Sequence, residues 1–61
     1  MSIRVRRVEA GLTQVKLAQA LGVTQSAVSQ WDNGEATPTI ANLKKIAELC
    51  DCTVDDLIKE E

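Results

Sequence analysis

The stretch Gln14–Asp32, which reads QVKLAQALGVTQSAVSQWD, decides the fold of this 61-residue chain. Residues 14–21 consist largely of amino acids that favour helix, and a second helical run covers 25 to 31 or 32. The link between the two runs is only the three residues 22–24 and begins with glycine. A link this short predicts two helices that cross at a sharp angle.

Three positions in this stretch suit such a crossing. Ala18 is small where the two helices approach, and Gly22 adopts the left-handed conformation of the turn at low cost. Val28 is a branched apolar residue that fills the wedge between the helices from the other side. The surrounding core is predicted to contain Leu17, Leu21, Val23 and Trp31. The sequence therefore predicts a helix-turn-helix over about residues 14–32.

Threonine or serine precedes each of the first three helical runs and predicts their N-caps. Ser2 is the candidate cap of a first helix over 2–10, which Gly11 ends in a left-handed conformation. Thr13 and Thr24 are the candidate caps of the second and third helices.

Two more helices follow a loop at residues 35–38. The fourth runs from about Ile40 to Leu49, capped either by Thr39 or by Thr37 with Pro38 in the first turn. The fifth begins at Thr53, with Asp56 as a capping-box partner. The inward faces are predicted to carry Ile40, Leu43, Ile46 and Ala47 in the fourth helix and Val54, Leu57 and Ile58 in the fifth. The prediction is one all-α domain of five short helices over residues 1–61.

The third helix has two unlike faces. Its apolar side carries Ala27, Val28 and Trp31, and the core is the predicted environment of the tryptophan. Its other side carries short, uncharged hydrogen-bonding residues: Gln25, Ser26, Ser29, Gln30 and Asn33. A glutamine amide can donate to and accept from the edge of adenine in the major groove of DNA. We therefore expect Gln25, Ser26, Ser29 and Gln30 to read bases, the alternative being a polar face that only contacts water.

Residues next to this face are suited to phosphate. Gln14 begins the second helix, where unpaired backbone N–H groups favour anions, and Lys16 lies in the same turn. Asn33 and Gly34 follow the third helix and can offer donors to the opposite strand. These contacts would set the register of the protein on DNA, not its sequence preference. The alternative for Lys16 is a solvated lysine.

Composition limits the other function classes. The net charge is −2, with bases at Arg4, Arg6, Arg7 and Lys16 and an acidic end formed by Asp51, Asp55, Asp56, Glu60 and Glu61. The chain has no histidine, no nucleophile beside a base and no glycine-rich phosphate loop, so we expect no enzyme, no cofactor and no small-molecule ligand. Cys50 and Cys52 lack the further ligands that a metal needs and are expected to be free thiols. No signal peptide or membrane span is evident, which predicts a cytoplasmic protein without membrane contact.

In combination, these motifs resemble the Cro/CI-type helix-turn-helix family of phage repressors and bacterial xenobiotic-response-element regulators. The resemblance rests on Leu12-Thr13-Gln14, Leu17-Ala18, Leu21-Gly22-Val23, Ser26, Val28-Ser29-Gln30-Trp31, Asn33-Gly34, Pro38, Leu43-Lys44-Lys45-Ile46-Ala47 and Val54-Asp55-Asp56-Leu57. It covers essentially the whole chain. It implies a five-helix lambda-repressor-like domain that binds double-stranded operator DNA, usually as a homodimer.

The resemblance also assigns residues. It places base reading on Gln25, Ser26, Ser29 and Gln30, and the phosphate clamp on Gln14. It pairs Arg7 with Asp32 in a structural role. The chain departs from many relatives in its loop 35–37, which carries no base, and in ending near the fifth helix. It is expected to be either a small complete protein or the N-terminal domain of a longer one.

Two functions follow from the sequence. The first is a repressor that binds a pseudo-palindromic operator as a homodimer, through the loop after the third helix and the end of the fifth. Val54, Leu57 and Ile58 cannot all be buried within one chain, which favours that interface. The alternative is a protein-interaction module, such as an antitoxin component, with the same fold.

Overall fold

Five α-helices organise residues 1–59, the part of the chain that the computed structural model describes. They are α1 (Ile3–Glu9), α2 (Gln14–Leu21), α3 (Gln25–Asp32), α4 (Ile40–Leu49) and α5 (Val54–Ile58). No strand occurs in this part of the chain, and the predicted all-α class is confirmed. Glu60 and Glu61, two of the acidic residues noted above, lie outside the described residues.

Threonine side chains cap the four helices after α1. In each, the threonine Oγ1 accepts from the backbone N–H three residues on, at 3.1 to 3.2 Å. Thr39 is therefore the cap of α4, which decides against Thr37. At α5 the backbone N–H of Thr53 also donates to Asp56 Oδ2 at 3.1 Å, which completes the predicted capping box.

The prediction that Ser2 caps α1 is wrong. Its side chain accepts no hydrogen bond from the helix. The Ser2 hydroxyl instead donates to the carbonyl of Lys59 at 2.9 Å, and its backbone N–H donates to that of Leu57 at 2.7 Å. Ser2 therefore joins the start of α1 to the end of α5, a contact between distant parts of the chain.

A residue in the left-handed conformation follows several of the helices, and in one case that residue is not glycine. After α2, Gly22 has a φ of +70°, and the N–H of Val23 reaches back to the carbonyl of Ala18 at 3.0 Å. This is the hydrogen bond of a Schellman motif. The same bond ends α4, between Cys52 and Ala47 at 2.9 Å, but there the left-handed residue is Asp51, with a φ of +53°. Gly11 also has the left-handed conformation expected of it.

The core draws on every helix. Its buried apolar residues are Ile3, Leu17, Ala18, Leu21, Val28, Trp31, Leu43, Ile46, Ala47 and Leu57. α2 packs against α3 and α4, while α1 packs against α3 and α5. Two residues predicted to face inward do not: Ile40 is 65% exposed and Ile58 is 46% exposed. Each lies at the end of its helix, where helical spacing continues but no neighbouring element covers the side chain.

Candidate nucleic-acid interface

The turn between α2 and α3 holds the candidate interface in place. Ala18 and Val28 are both buried, one from each helix, and Gly22 between them takes the left-handed conformation that the sequence predicts. Trp31 is also buried, which places it in the core. With Val28 and Trp31 packed inward, the opposite side of α3 faces away from the protein.

That outward side carries the predicted base-reading residues. Gln25, Ser26 and Gln30 are exposed, and Ser29 is half-buried. Among the described residues, Ser26 and Gln30 form no side-chain hydrogen bond within the chain. The surface therefore offers amide and hydroxyl groups of both donor and acceptor type, with no charge of its own.

A chain of side-chain contacts runs from the interior to this surface. The Arg7 guanidinium donates to Asp32 Oδ2 at 2.8 Å, and the Gln14 amide donates to the same oxygen at 2.9 Å. The Gln14 side-chain oxygen in turn lies 3.5 Å from Nε2 of Gln25. Arg7 is anchored further by donating to the carbonyl of Leu12 at 2.7 Å. The side chain of the first residue of α3 is thus linked, through Gln14, to a buried ion pair.

The ion pair implied by the family resemblance is therefore present, and both of its side chains are at least nine-tenths buried. Sequence reasoning missed the role of Gln14 as a bridge between Asp32 and Gln25. The bridge depends on how α2 meets the end of α3, and the sequence spacing of these residues carries no signal of it.

The start of α2 retains donors for an anion. Thr13 Oγ1 accepts from the backbone N–H of Lys16. The first i to i−4 bond of the helix begins at Leu17, so the N–H groups of Gln14 and Val15 have no acceptor within the described residues. Unpaired N–H groups at a helix N-terminus favour negative charge. The Lys16 side chain is exposed in the same turn.

Fewer hydrogen-bond donors are free at the end of α3 than the sequence predicts. The backbone N–H of Asn33 donates to the backbone carbonyl of Ser29 at 3.0 Å, and the backbone N–H of Gly34 donates to the backbone carbonyl of Trp31 at 3.2 Å. Both backbone donors are therefore used within the chain. The exposed side-chain amide of Asn33 is the group that remains for an external ligand.

The two cysteines are free thiols, as predicted. Burial is the main cause that raises the pKa of Cys50 and that of Cys52 above 9.0. Both are therefore protonated and weakly nucleophilic at neutral pH. Across the described residues there is no cluster of three or more potential metal ligands, and no helix has the length and apolarity needed to span a membrane.

Comparison with known proteins finds a family model and several relatives whose names describe regulators of transcription. A family model described as helix-turn-helix matches residues 3–57. The HTH-type transcriptional activator BcrR of Enterococcus faecalis is 38% identical over 50 residues, which cover 82% of this chain and 24% of that protein. Repressor protein C2 of Salmonella phage P22 is 35% identical over 57 residues, which cover 93% of this chain and 26% of that protein.

A third relative is the HTH-type transcriptional regulator DicA of Escherichia coli (strain K12), 39% identical over 51 residues that cover 84% of this chain and 38% of that protein. The chain thus spans about a quarter to two-fifths of the length of these relatives. No significant match was found among solved structures. The family model covers nearly all of the chain, which therefore belongs to the helix-turn-helix family of the Cro/CI, or xenobiotic-response-element, type.

Proposed function

We propose that the chain is a sequence-specific DNA-binding domain that regulates transcription, with α3 as the helix that enters the major groove. The observation that carries this proposal is the outward face of α3. Gln25, Ser26 and Gln30 are exposed there, opposite the buried Val28 and Trp31. A helix fits the major groove, where glutamine amides can form paired hydrogen bonds with adenine.

Gln25 is the best-positioned reading residue. Its amide is linked to Gln14, which is held by Asp32 and so by the buried guanidinium of Arg7. A side chain oriented before binding loses less conformational entropy when it meets a base. Gln30, Ser26 and Ser29 complete the reading face.

The phosphate contacts are assigned to the groups that flank α3. The N–H groups at the start of α2 and the ammonium of Lys16 lie on one side of α3 in sequence, and the amide of Asn33 lies on the other. Such contacts set register and contribute affinity for any sequence. Few lysine or arginine side chains take part in these phosphate contacts, because the loop 35–37 has none. We therefore expect the affinity for DNA to depend only weakly on salt concentration.

The proposed active form is a homodimer on a pseudo-palindromic operator. Two copies of α3 would enter successive major grooves about 34 Å apart. The structure removes Leu57 from the expected interface, because this residue is fully buried within the chain. Ile58 and Ile40 remain exposed at the end of α5 and the start of α4, and we assign the contact to them and to the loop before α4. Repression would follow from occupation of the operator. We further propose that the protein has no catalytic activity and acts in the cytoplasm, where it meets its DNA.

Selection from a random double-stranded DNA library tests the proposal, with recovered sequences read at two salt concentrations. The expected result is a pseudo-palindrome whose half-sites lie about one helical turn apart. A matched selection with the variant Gln30→Ala controls for sequence-independent recovery. Recovery of no motif, with binding that disappears uniformly as salt rises, would mean phosphate attraction alone and would overturn the proposal.

A second candidate function is a module that binds a protein partner. The net charge of −2 favours this alternative, and so does the lack of lysine and arginine in the loop 35–37, because both weaken attraction to phosphate. A stoichiometric protein partner recovered in a pull-down, together with failure of the library selection, would establish this alternative.

A further inference from the structure

The two residues that follow α3, Asn33 and Gly34, lie at the edge of the reading face. The Asn33 side chain is exposed and, within residues 1–59, forms no hydrogen bond. Gly34 is also exposed, with a φ of +74°, and apart from its chain neighbours no heavy atom lies within 4 Å of the point that a Cβ would occupy. An asparagine amide that is open to solvent is thus followed by a residue without a side chain, in open space.

This pair of residues has the atoms for an internal reaction. A bond between Cγ of Asn33 and the backbone nitrogen of Gly34 closes a five-membered ring. The nitrogen loses its proton, the Cγ–Nδ2 bond breaks, and the side-chain amide group leaves as ammonia. Water then adds to one of the two carbonyl carbons of the cyclic imide and opens it, which leaves aspartate or isoaspartate at position 33. A side chain at position 34 would crowd the attacking nitrogen, and glycine has none.

The hydrogen bonds at the end of α3 determine how the reaction can begin. Asn33 has a φ of −90° and a ψ of −1°, and the ring does not close at this helical ψ. Rotation about ψ breaks the bond from the Gly34 N–H to the Trp31 carbonyl at 3.2 Å. It also displaces Glu35, whose N–H donates to the Gln30 carbonyl at 2.8 Å. The last turn of α3 must therefore open, and helix ends open at a small cost in free energy while the core stays folded.

Asn42, the other asparagine of the chain, is in a different setting. It is half-buried in the first turn of α4, and the next residue is the buried Leu43. The Leu43 N–H donates to the Thr39 carbonyl at 2.8 Å. Opening this turn would expose part of the core, and the leucine side chain would crowd the attacking nitrogen. Asn42 is therefore an internal reference of the same residue type.

We propose that Asn33 is a site of spontaneous deamidation, which converts an amide at the edge of the reading face into a carboxylate. The reaction proceeds in the folded chain through opening of the last turn of α3, and its only co-reactant is water. Both products add one negative charge to a chain whose net charge is −2. Isoaspartate also lengthens the backbone by one carbon before Gly34, which displaces the loop that follows.

The new carboxylate opposes DNA binding in two ways. Negative charge at a helix C-terminus is unfavourable, because the carbonyl groups there are already partly negative. The carboxylate also replaces a donor that we assign to phosphate with a group that repels phosphate. We expect affinity for every DNA sequence to fall by about tenfold, since phosphate contacts carry no sequence information. This consequence rests on the proposed function, whereas the deamidation itself does not.

The test incubates the full chain without DNA in mildly alkaline buffer at physiological temperature. Peptide mass spectrometry measures the conversion of amide to carboxyl at each asparagine, and chromatography against synthetic peptides separates isoaspartate from aspartate. We expect Asn33 to react at least about tenfold faster than Asn42, because a helix end opens more readily than a turn packed on the core. The rate should rise with pH, since the Gly34 nitrogen must lose its proton. Asn33→Gln keeps an amide but cannot form the five-membered ring, and it should react far more slowly at this position.

A second arm measures DNA affinity. Asn33→Asp carries the charge of the product and should bind the selected site about tenfold more weakly than the wild type. Asn42→Asp has the same net charge and should bind nearly as tightly as the wild type. Near-UV circular dichroism checks that the incubated chain and every variant are folded. Asn33→Asp that binds as tightly as the wild type would overturn the expected effect on DNA binding.

Equal rates at Asn33 and Asn42 would overturn the proposal, and so would modification of Asn33 that occurs only after unfolding in urea. Because the rates are measured without DNA, a failed library selection would leave them unaffected. An unreactive Asn33 would in turn leave the proposed function standing.

Discussion

Arg7 and Asp32 form an ion pair at 2.8 Å in which both side chains are at least nine-tenths buried, and this pair connects α1 to the end of α3. Asp32 Oδ2 accepts from both Arg7 and Gln14. Within the described residues 1–59, Asp32 Oδ1 and Arg7 Nε have no hydrogen-bond partner although they are buried. The pair therefore fixes the position of α3 but does not satisfy every polar atom that it buries.

Removing one partner of this pair should be far more damaging than removing both. Asp32→Ala leaves a buried guanidinium without its counterion and should lower the free energy of unfolding by about 3–5 kcal/mol. The double variant Arg7→Met with Asp32→Leu should be clearly more stable than Asp32→Ala, because it removes both charges. Urea unfolding measures all of these variants. Arg6→Gln, which breaks the more exposed pair with Asp56, is the control and should cost less than about 1 kcal/mol. Equal losses in Asp32→Ala and Arg6→Gln would contradict this account.

Asp51 is a site where glycine should stabilise the fold. Its φ of +53° lies in the left-handed region, which costs an L-residue roughly 1–2 kcal/mol, although aspartate tolerates it better than most. Asp51→Gly should raise the free energy of unfolding by about 0.5 kcal/mol, after the larger entropy of the unfolded glycine chain is subtracted. Asp55→Gly is the matched control within α5, and it should destabilise the protein. Thermal unfolding of Asp51→Gly and Asp55→Gly, each compared with the wild type, shows whether each variant is more or less stable. A destabilised Asp51→Gly would show that the turn tolerates aspartate without strain.

The capping box of α5 should make the stability of the fold depend on pH in the acid range. The backbone N–H of Thr53 donates to the Asp56 carboxylate and lowers its pKa below the ordinary 3.8, with the hydroxyl of Thr53 adding to the effect. A carboxyl whose pKa is lower in the folded state stabilises the fold above its unfolded pKa and loses that contribution as pH falls through the folded pKa.

Asp56→Asn keeps an oxygen acceptor but cannot titrate. The wild-type chain should therefore be more stable than Asp56→Asn at neutral pH, and the difference should shrink as pH falls below 3.8. Urea unfolding at neutral and acid pH measures this difference. A gap that is constant with pH would mean that the charge of Asp56 contributes nothing.

Gln14 should be coupled to Gln25 in DNA binding. Their side-chain amides lie 3.5 Å apart, so Gln14→Ala should release the Gln25 side chain. In a double-mutant cycle on the selected DNA site, we expect a coupling energy of about 0.5 kcal/mol or more between the two alanine substitutions. Gln19→Ala, on the exposed surface of the same helix, is the control and should show no coupling to Gln25→Ala. Additive effects of Gln14→Ala and Gln25→Ala would mean that the bridge does not orient the reading residue.

The features predicted correctly from the sequence are mostly local. Thr13, Thr24 and Thr53 were identifiable as caps because a cap binds an N–H three residues away. Gly22 was identifiable because few other residues adopt its φ. The same local reasoning failed for Ser2, whose hydrogen bonds reach the far end of the chain, and for Ile40, which helical spacing alone placed inward.

The exposure of the candidate reading residues could also be predicted from the sequence. Helical phase placed Gln25, Ser26 and Gln30 on the exposed side of α3, since the buried Val28 and Trp31 fix which side faces inward. Phase could not show that a neighbouring helix supplies a partner to one of these side chains. The link from Gln25 through Gln14 to Asp32 is tertiary, and it became visible only once α2 and α3 were placed together.

We expect side chains of α3 to read base pairs, and groups beside α3 to contact only phosphate. The most direct test measures the affinity of wild type, Gln30→Ala and Lys16→Ala for the selected DNA site and for each of its single-base-pair substitutions. We predict that Gln30→Ala loses about 1–3 kcal/mol of discrimination at one position of each half-site, and that Lys16→Ala weakens binding to every sequence equally. Gln30→Ala that keeps the full discrimination of the wild type at every position would contradict the claim.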